Sequence, residues 1–480
     1  MTRPLHFILN DREVKAEVPA GQLVLDYLRE SRRMVGTKEG CREGDCGACV
    51  VLVGELQGDA VRYRSITSCL MPAHELASKH LVTIEALRGA RLTAVQEAII
   101  TEGGSQCGFC TPGIVLSLTG ALMERSAPLD AAAVKTTLGG HLCRCTGYRS
   151  LKAVGDHLVG MPLGLKGMVD GGELPAWFSG IPERLAAIVA EAPTPARPAS
   201  PASPASARRY AVAGGTDLYV QQGDAIATSS SIEVLGTRED LRGIRSESKA
   251  LILGPATTFE EMAESKDLQA VIPRIRDYMD DIASVQIRNR ATVGGNLVNA
   301  SPIGDVTILL LALDTTLTLE SDSGSTRRVA LRDFYLGYKE LDLSDDELLT
   351  SISISRPAQG SRISWEKVAK RRTLDIASVN GALVIRDEGG VIQEATLTAG
   401  GVAATPFFLA KTSAWLRDRP ISAQTVVEAA ALAQTEVTPI SDIRGTAAYK
   451  RLLLRQLIWA HFQTLYPELI SFEALYREAA

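Results

Sequence analysis

The eight cysteines stand in two tight groups, Cys41, Cys46, Cys49 and Cys69, then Cys107, Cys110, Cys143 and Cys145, and none follows Cys145. Usage this uneven points to chemistry and not to core packing. A disulfide framework is one reading, but such frameworks belong to oxidising compartments and to small domains that lack a core. This chain has 480 residues, 45% of them hydrophobic. At roughly 150 residues per domain that makes about three or four domains with ample apolar material. Two four-thiolate metal sites are the remaining reading, with zinc or an iron–sulfur cluster as occupant.

Spacing separates these occupants in the first group. Cys41-x4-Cys46-x2-Cys49 with a distant Cys69 follows the plant-type ferredoxin pattern, whereas zinc ribbons usually show two matched C-x2-C knuckles. In the loop GCREGDCGACV, Gly40, Gly44, Gly47 and Ala48 are small enough for backbone N–H groups to turn toward negatively charged sulfur. Zinc stays open as the rival. Leu5–Leu9 and Val14–Val18 alternate around Asn10-Asp11 as a hairpin, Val24–Arg29 reads as a short amphipathic helix, and Val50, Leu52 and Val53 continue as a strand. A small mixed sheet with one helix and a cysteine loop, over residues 1–85, resembles the β-grasp ferredoxin fold.

From Thr93 to His157 the apolar residues follow a helical period. Thr111 can cap a helix and Pro112 suits its first position, which sets Cys107 and Cys110 just before a helix N-terminus, where the dipole favours thiolate. Alone, this pair would suit a thioredoxin-like redox site, but no βαβ pattern surrounds it. Cys143-Arg144-Cys145 lies beyond another helix in the glycine-flanked loop GGHLCRCTGY. The strings SQCGFCTPG and LCRCTGY, behind a plant-type loop, resemble the two [2Fe-2S] domains of the molybdenum hydroxylase family, which includes xanthine dehydrogenase and aldehyde oxidase. The resemblance implies eight cysteine ligands, a four-helix cluster domain over 86–160, and Gln106 reaching the pterin of a molybdenum cofactor held by another domain or subunit. A solvated loop residue is the lesser, alternative reading of Gln106.

Residues Gly160–Gly172 hold five glycines and no helical period, so 161–176 reads as a linker. Pro193–Ala207 contains five prolines and no bulky apolar side chain; it reads as a disordered insertion between the helix PERLAAIVAEA and a strand opening at Tyr210. That strand ends in AGGTDL, and a second glycine turn, ATVGGNLVNASPIGD, follows at Ala291–Asp305. Such turns let backbone N–H groups approach a pyrophosphate, with hydroxyls and a carboxylate as further partners. A lone Gly-Gly is also an ordinary tight turn, and the absence of GxGxxG disfavours a Rossmann fold. Together the turns resemble the non-Rossmann (α+β) FAD-binding domain of the same family, here 177–357. The match implies that Ala211, Val212, Ala213, Gly214, Gly215, Thr216, Asp217 and Leu218, then Ala291, Thr292, Gly294, Gly295 and Asn296, lie along the pyrophosphate of FAD, with Asp305 binding the cofactor as well. Leu349 and Lys367 also match flavin positions, though they could equally be a core leucine and a surface lysine. Three strand-like runs from Ile363 and helical stretches around 423–433 and 446–462 resemble the family's α+β flavoprotein C-terminal domain, 358–480.

Composition excludes other classes. With 51 Lys and Arg against 56 Asp and Glu, a net charge of −5 and no long basic block, nucleic acid is not an expected partner. The longest apolar run, Ile308–Leu313, is far short of the ~20 residues a membrane span needs, and Phe7, Ile8 and Leu9 are too few for a signal peptide, so the expected location is cytoplasmic.

The order of domains is similar to that in the small subunit of bacterial xanthine dehydrogenases. This implies an α+β multidomain electron-transfer subunit carrying two [2Fe-2S] clusters and FAD, partnered by a molybdenum-cofactor large subunit in a dimer of heterodimers. Purine hydroxylation is the leading activity. Oxidation of an aldehyde or another N-heterocycle, or a stand-alone iron–sulfur flavoprotein reductase, are the alternatives. Two positions depart from the family: Ile282 stands where a phenylalanine commonly covers the flavin, and Leu374, in KRRTLDIAS, stands where NAD-reducing members tend to have an acidic residue after a basic pair. The acceptor is accordingly open among NAD, oxygen, a quinone and a redox protein.

Overall fold

The computed structural model describes residues 2–89, 91–124, 129–191, 209–229 and 231–479; the Pro-rich insertion 193–207 lies outside them. They form two compact units, Met1–Arg238 with Ala283–Ala291, and Glu239–Ile282 with Thr292–Ala480. The Glu239 boundary falls inside the segment 177–357 assigned to FAD from sequence.

In the first unit, strand Thr2–Leu9 pairs antiparallel with Arg12–Pro19. Leu5, Phe7 and Leu9 are buried with Val14 and Val18, and Asn10, at φ +54°, supplies the left-handed turn residue. Three more strands complete a five-stranded sheet in the order Arg12–Pro19, Thr2–Leu9, His80–Val82, Val50–Gln57, Ala60–Thr67. The helix expected over Val24–Arg29 is α-helical only at Val24–Asp26 and widens over Tyr27–Ser31, where Arg32 N–H donates to Tyr27 O five residues back.

Four helices follow: Ala94–Thr101, Thr111–Glu124, Ala131–Leu138 and Arg149–His157. Thr93 caps the first through a reciprocal pair with Gln96. The second is buried on nearly every face from Gly113 to Met123, as a central helix must be, and Gly120 lets it approach the sheet, since a Cβ there would lie 2.6 Å from Leu52 Cδ2. Thr111 is not its cap. Cys110 O accepts the first intrahelical bond, and the Thr111 hydroxyl lies 2.9 Å from Ser105 Oγ instead. The segment read as a linker contains a helix, Gly164–Asp170, whose Met168 joins Leu174 and Phe178 in the same core. Seven residues are too few for a period to show, and glycines at positive φ bound the helix at Gly164 and Gly172.

The second unit holds a five-stranded antiparallel sheet built on Thr315–Ser321 and Glu347–Ser355. It also holds a four-stranded one running Arg362–Val368, Val379–Glu388, Val391–Gly400, Phe407–Phe408. Helices Ala410–Leu416, Ala423–Glu436 and Ala447–Leu465 share a core with the latter, so the tail carries the strands and helices its periods predict. The apolar run at Ile308 belongs to a buried helix, Asp305–Ala312. Among the described residues no helix is long and apolar enough to cross a membrane.

Candidate iron–sulfur and flavin sites

Hairpin register explains the distant fourth cysteine of the first group. Val50 pairs with Thr67 at the open end of the Val50–Gln57/Ala60–Thr67 hairpin. Cys49, one residue before, and Cys69, two residues after, are thereby brought side by side, and Ser68 Oγ donates to Cys49 O at 2.7 Å. Their thiols hydrogen-bond, which lowers Cys49 and raises Cys69. Cys41 and Cys46 form the other pair: the bond from Cys46 brings Cys41 down to about 5, helped by the N–H groups of Glu43, Asp45 and Cys46. Gly44 and Gly47 lie at φ +82° and +66°, and a Cβ at Gly40 would sit 2.7 Å from Cys46 Sγ. The loop therefore wraps its own amides around sulfur, which suits a negatively charged cluster.

The second group pairs likewise. The Phe109 amide and the Cys145 thiol lower Cys107. Burial pushes Cys110 up to about 12, and its thiol bonds that of Cys143. Cys143 is lowered despite its burial, because the Thr146 hydroxyl, 3.1 Å away, and the Thr146 amide both act on it. Tyr148, left-handed at φ +65°, shapes this loop by donating to His141 O and accepting from Cys143 N–H, both at 2.9 Å. Among the described residues no three His, Cys, Asp or Glu side chains are arranged around a single metal ion. Each group presents two pairs of thiols, the number of ligands that a cluster with two irons and two thiolates on each would take.

The two cysteine loops touch. Leu142 N–H donates to Cys46 O at 3.0 Å, and a Cβ on Gly47 would collide with Gly140 O and the His141 ring. Cys107, Cys145, Phe109 and Leu142 are exposed. Gln106 is exposed beside them, its Nε2 donating to Cys145 O at 3.2 Å.

The flavin residues expected from sequence divide between the units. In the first, Gly214 backs onto Arg290 O, and Gly215, at φ +73°, lies against Leu70 O and the Tyr219 ring. The glycine requirement at both is met by protein atoms, while Thr216 and the exposed Asp217 lead out of the turn. In the second, Gly294 packs on Pro255, and only Thr292 Oγ1 lies near the exposed Gly295. Of these four glycines Gly295 alone is exposed, and a Cβ there would meet the capping Thr292 hydroxyl at 2.8 Å.

Asp305 and Lys367 meet, with Lys367 Nζ 2.7 Å from Asp305 Oδ2 and their side chains 5% and 14% exposed. Lys367 is therefore not a surface lysine. Asn380, missed in the sequence because a strand asparagine gives no local signal, donates to Asp305 Oδ1 at 2.6 Å. Leu349 lies apart, buried opposite Leu319 in the five-stranded sheet. Ile282 is buried as well. Leu374 does not leave the basic pair without acid: Asp375 accepts from Arg371 N–H at 2.9 Å, and Asp281 pairs with Arg372 at 2.7 Å. Leu374 itself is left-handed at φ +53°.

Residues 7–74 match the family model of a 2Fe-2S iron-sulfur cluster binding domain, 83–154 a [2Fe-2S] binding domain, 201–357 the FAD binding domain in molybdopterin dehydrogenase, and 366–465 the CO dehydrogenase flavoprotein C-terminal domain. Xanthine dehydrogenase 1 of Arabidopsis thaliana is 26% identical over 92% of this chain and 38% of its own length. Aldehyde oxidase 1 of Rattus norvegicus is 26% identical over 95% and 39%. The chain thus spans about two fifths of the length of the curated relatives it matches. The solved structure of reconstituted CO dehydrogenase from Oligotropha carboxidovorans is similar at 31% identity and a TM-score of 0.50, over 52% of this chain and 87% of that one.

Proposed function

The chain belongs to the molybdenum hydroxylase family as an iron–sulfur and flavin portion, and from that premise we propose that it passes electrons from a molybdenum-cofactor partner to an external acceptor. Two [2Fe-2S] clusters move electrons singly, and FAD collects two before release. The observation that carries the reading is the pair of four-thiol groups in one unit, joined by the Leu142 N–H to Cys46 O bond. The chain's residues divide the work. Cys41, Cys46, Cys49 and Cys69 hold one cluster, Cys107, Cys110, Cys143 and Cys145 the other, and loop amides offset the charge on sulfur. The exposed face around Cys107, Cys145 and Gln106 meets the molybdenum-bearing partner. In the second unit, residues 292–296 bind FAD, with Asp305 oriented by Lys367 and Asn380.

Purine hydroxylation in the partner is the leading activity, supported by the xanthine dehydrogenases among the relatives; aldehyde oxidation is the second, supported by the aldehyde oxidase. Purification of the complex tests both. A molybdenum-containing partner and xanthine-dependent reduction of this chain's flavin are expected, whereas an active chain without molybdenum would identify a stand-alone reductase. Following flavin reoxidation by rapid mixing with NAD, oxygen and a quinone assigns the acceptor. The fastest of the three identifies the acceptor, and fast, saturable reoxidation by NAD would show that Ile282 and Leu374 do not govern that choice.

A further inference from the structure

The segment Ala283–Ala291 belongs to the first unit although the chain on both sides of it belongs to the second, and it carries a fully buried glutamine into the cysteine domain. Gln286 Nε2 lies 3.1 Å from Ser117 Oγ and 3.1 Å from Thr137 O. Thr137 O can only accept, so the amide nitrogen must face it. That leaves Gln286 Oε1 without a hydrogen-bond partner, turned at Gly140, where any Cβ would collide with it. Gln286 Nε2 is also 3.4 Å from His141 Nε2, which sits 2.7 Å from Ser117 Oγ. Next along the chain, Leu142 N–H holds Cys46 O, and Tyr148 bridges His141 O to Cys143 N–H. A buried amide so placed fixes its neighbours, because any shift costs hydrogen bonds that no water replaces.

We propose that Gln286 is a positioning residue for electron passage between the two iron–sulfur sites: by clamping Gly140 and His141 it holds the second cysteine loop against the first. The inference rests on the reading of the two cysteine groups as clusters. It makes a residue outside both cysteine domains in sequence a determinant of how those clusters interact. Asn289, on the same segment, provides the control. Its contacts are Ser65 O at 2.9 Å and Arg64 at 2.9 Å, not the Gly140–Cys143 loop.

The test is EPR of the fully reduced protein, with iron and sulfide analysis, on the wild type, Gln286→Met, Gly140→Ala, Gly140→Ala/Gln286→Ala and Asn289→Ala. The wild type should show two cluster signals with magnetic interaction between them. Gln286→Met should keep its iron yet change the line shape and midpoint potential of the second cluster and weaken the interaction. Gly140→Ala should do the same from the other side of the contact, and the double variant should stay perturbed, since it lacks the amide that holds the loop; recovery of the wild-type spectrum in it would show a clash at Gly140 and no clamp. Asn289→Ala should leave the spectrum unchanged. Wild-type spectra from Gln286→Met and Gly140→Ala, or equal changes from Asn289→Ala, would overturn the proposal. If Gln286→Met does not fold, the Gly140 pair decides alone. A wild type without sulfide would instead defeat the cluster reading itself.

Discussion

Replacing Arg290 by methionine isolates one buried ion pair. Arg290 and Glu75 are 3% and 6% exposed and meet through two bonds, of 2.9 and 3.1 Å; Arg290 also donates to Gly214 O at 2.5 Å. Removing one member of a buried pair strands the other charge, at a cost of about 3–5 kcal/mol, and leaving Gly214 O short of a donor adds about 1 kcal/mol. For a unit of this size about 4 kcal/mol corresponds to roughly 10 °C in Tm. Calorimetry, with the iron–sulfur absorbance reporting on the first unit, should show that unit melting early while the second keeps its transition. Arg290→Met/Glu75→Leu should recover most of the loss, because apolar replacement of both partners is often near neutral. A single variant within about 1 kcal/mol of wild type, or a double variant no better than the single, would refute the reasoning.

Three further outcomes are expected. Cys110→Ser should abolish one reduced EPR signal and about half the iron, leaving the other cluster intact. Gly295→Val should lower flavin content with the iron unchanged, its side chain entering the exposed side of the turn and pressing on the capping Thr292 hydroxyl, which a Cβ would meet at 2.8 Å; unchanged flavin would remove Gly295 from the site. His461 is buried against Ser364 and held down to about 3 by desolvation. The folded state therefore binds fewer protons than the unfolded one between about pH 6.5 and 3, and stability must fall as pH drops through that window, by about 1.4 kcal/mol per unit at the steepest. Urea titrations of wild type and His461→Phe at pH 7.5 and 5 should show a smaller acid loss in the variant.

What is coded within a few residues of one another is legible before the chain folds. Spacing gave the ferredoxin-type loop because a thiolate, a glycine turn and an amide directed at sulfur must be adjacent to act together. Alternation gave the first hairpin. The remaining contacts join residues far apart in the chain. Asp305 and Lys367 are 62 residues apart, and Asp305 and Asn380 are 75. Gln286 reaches Ser117 across 169 residues. Leu374 reads as a missing charge, yet Arg372 takes its acid from Asp281, 91 residues away. Local patterns record which face of a strand or helix is apolar; they do not record which distant polar group will close on which. That choice is made when packing excludes water and every buried donor and acceptor must take the partner within reach.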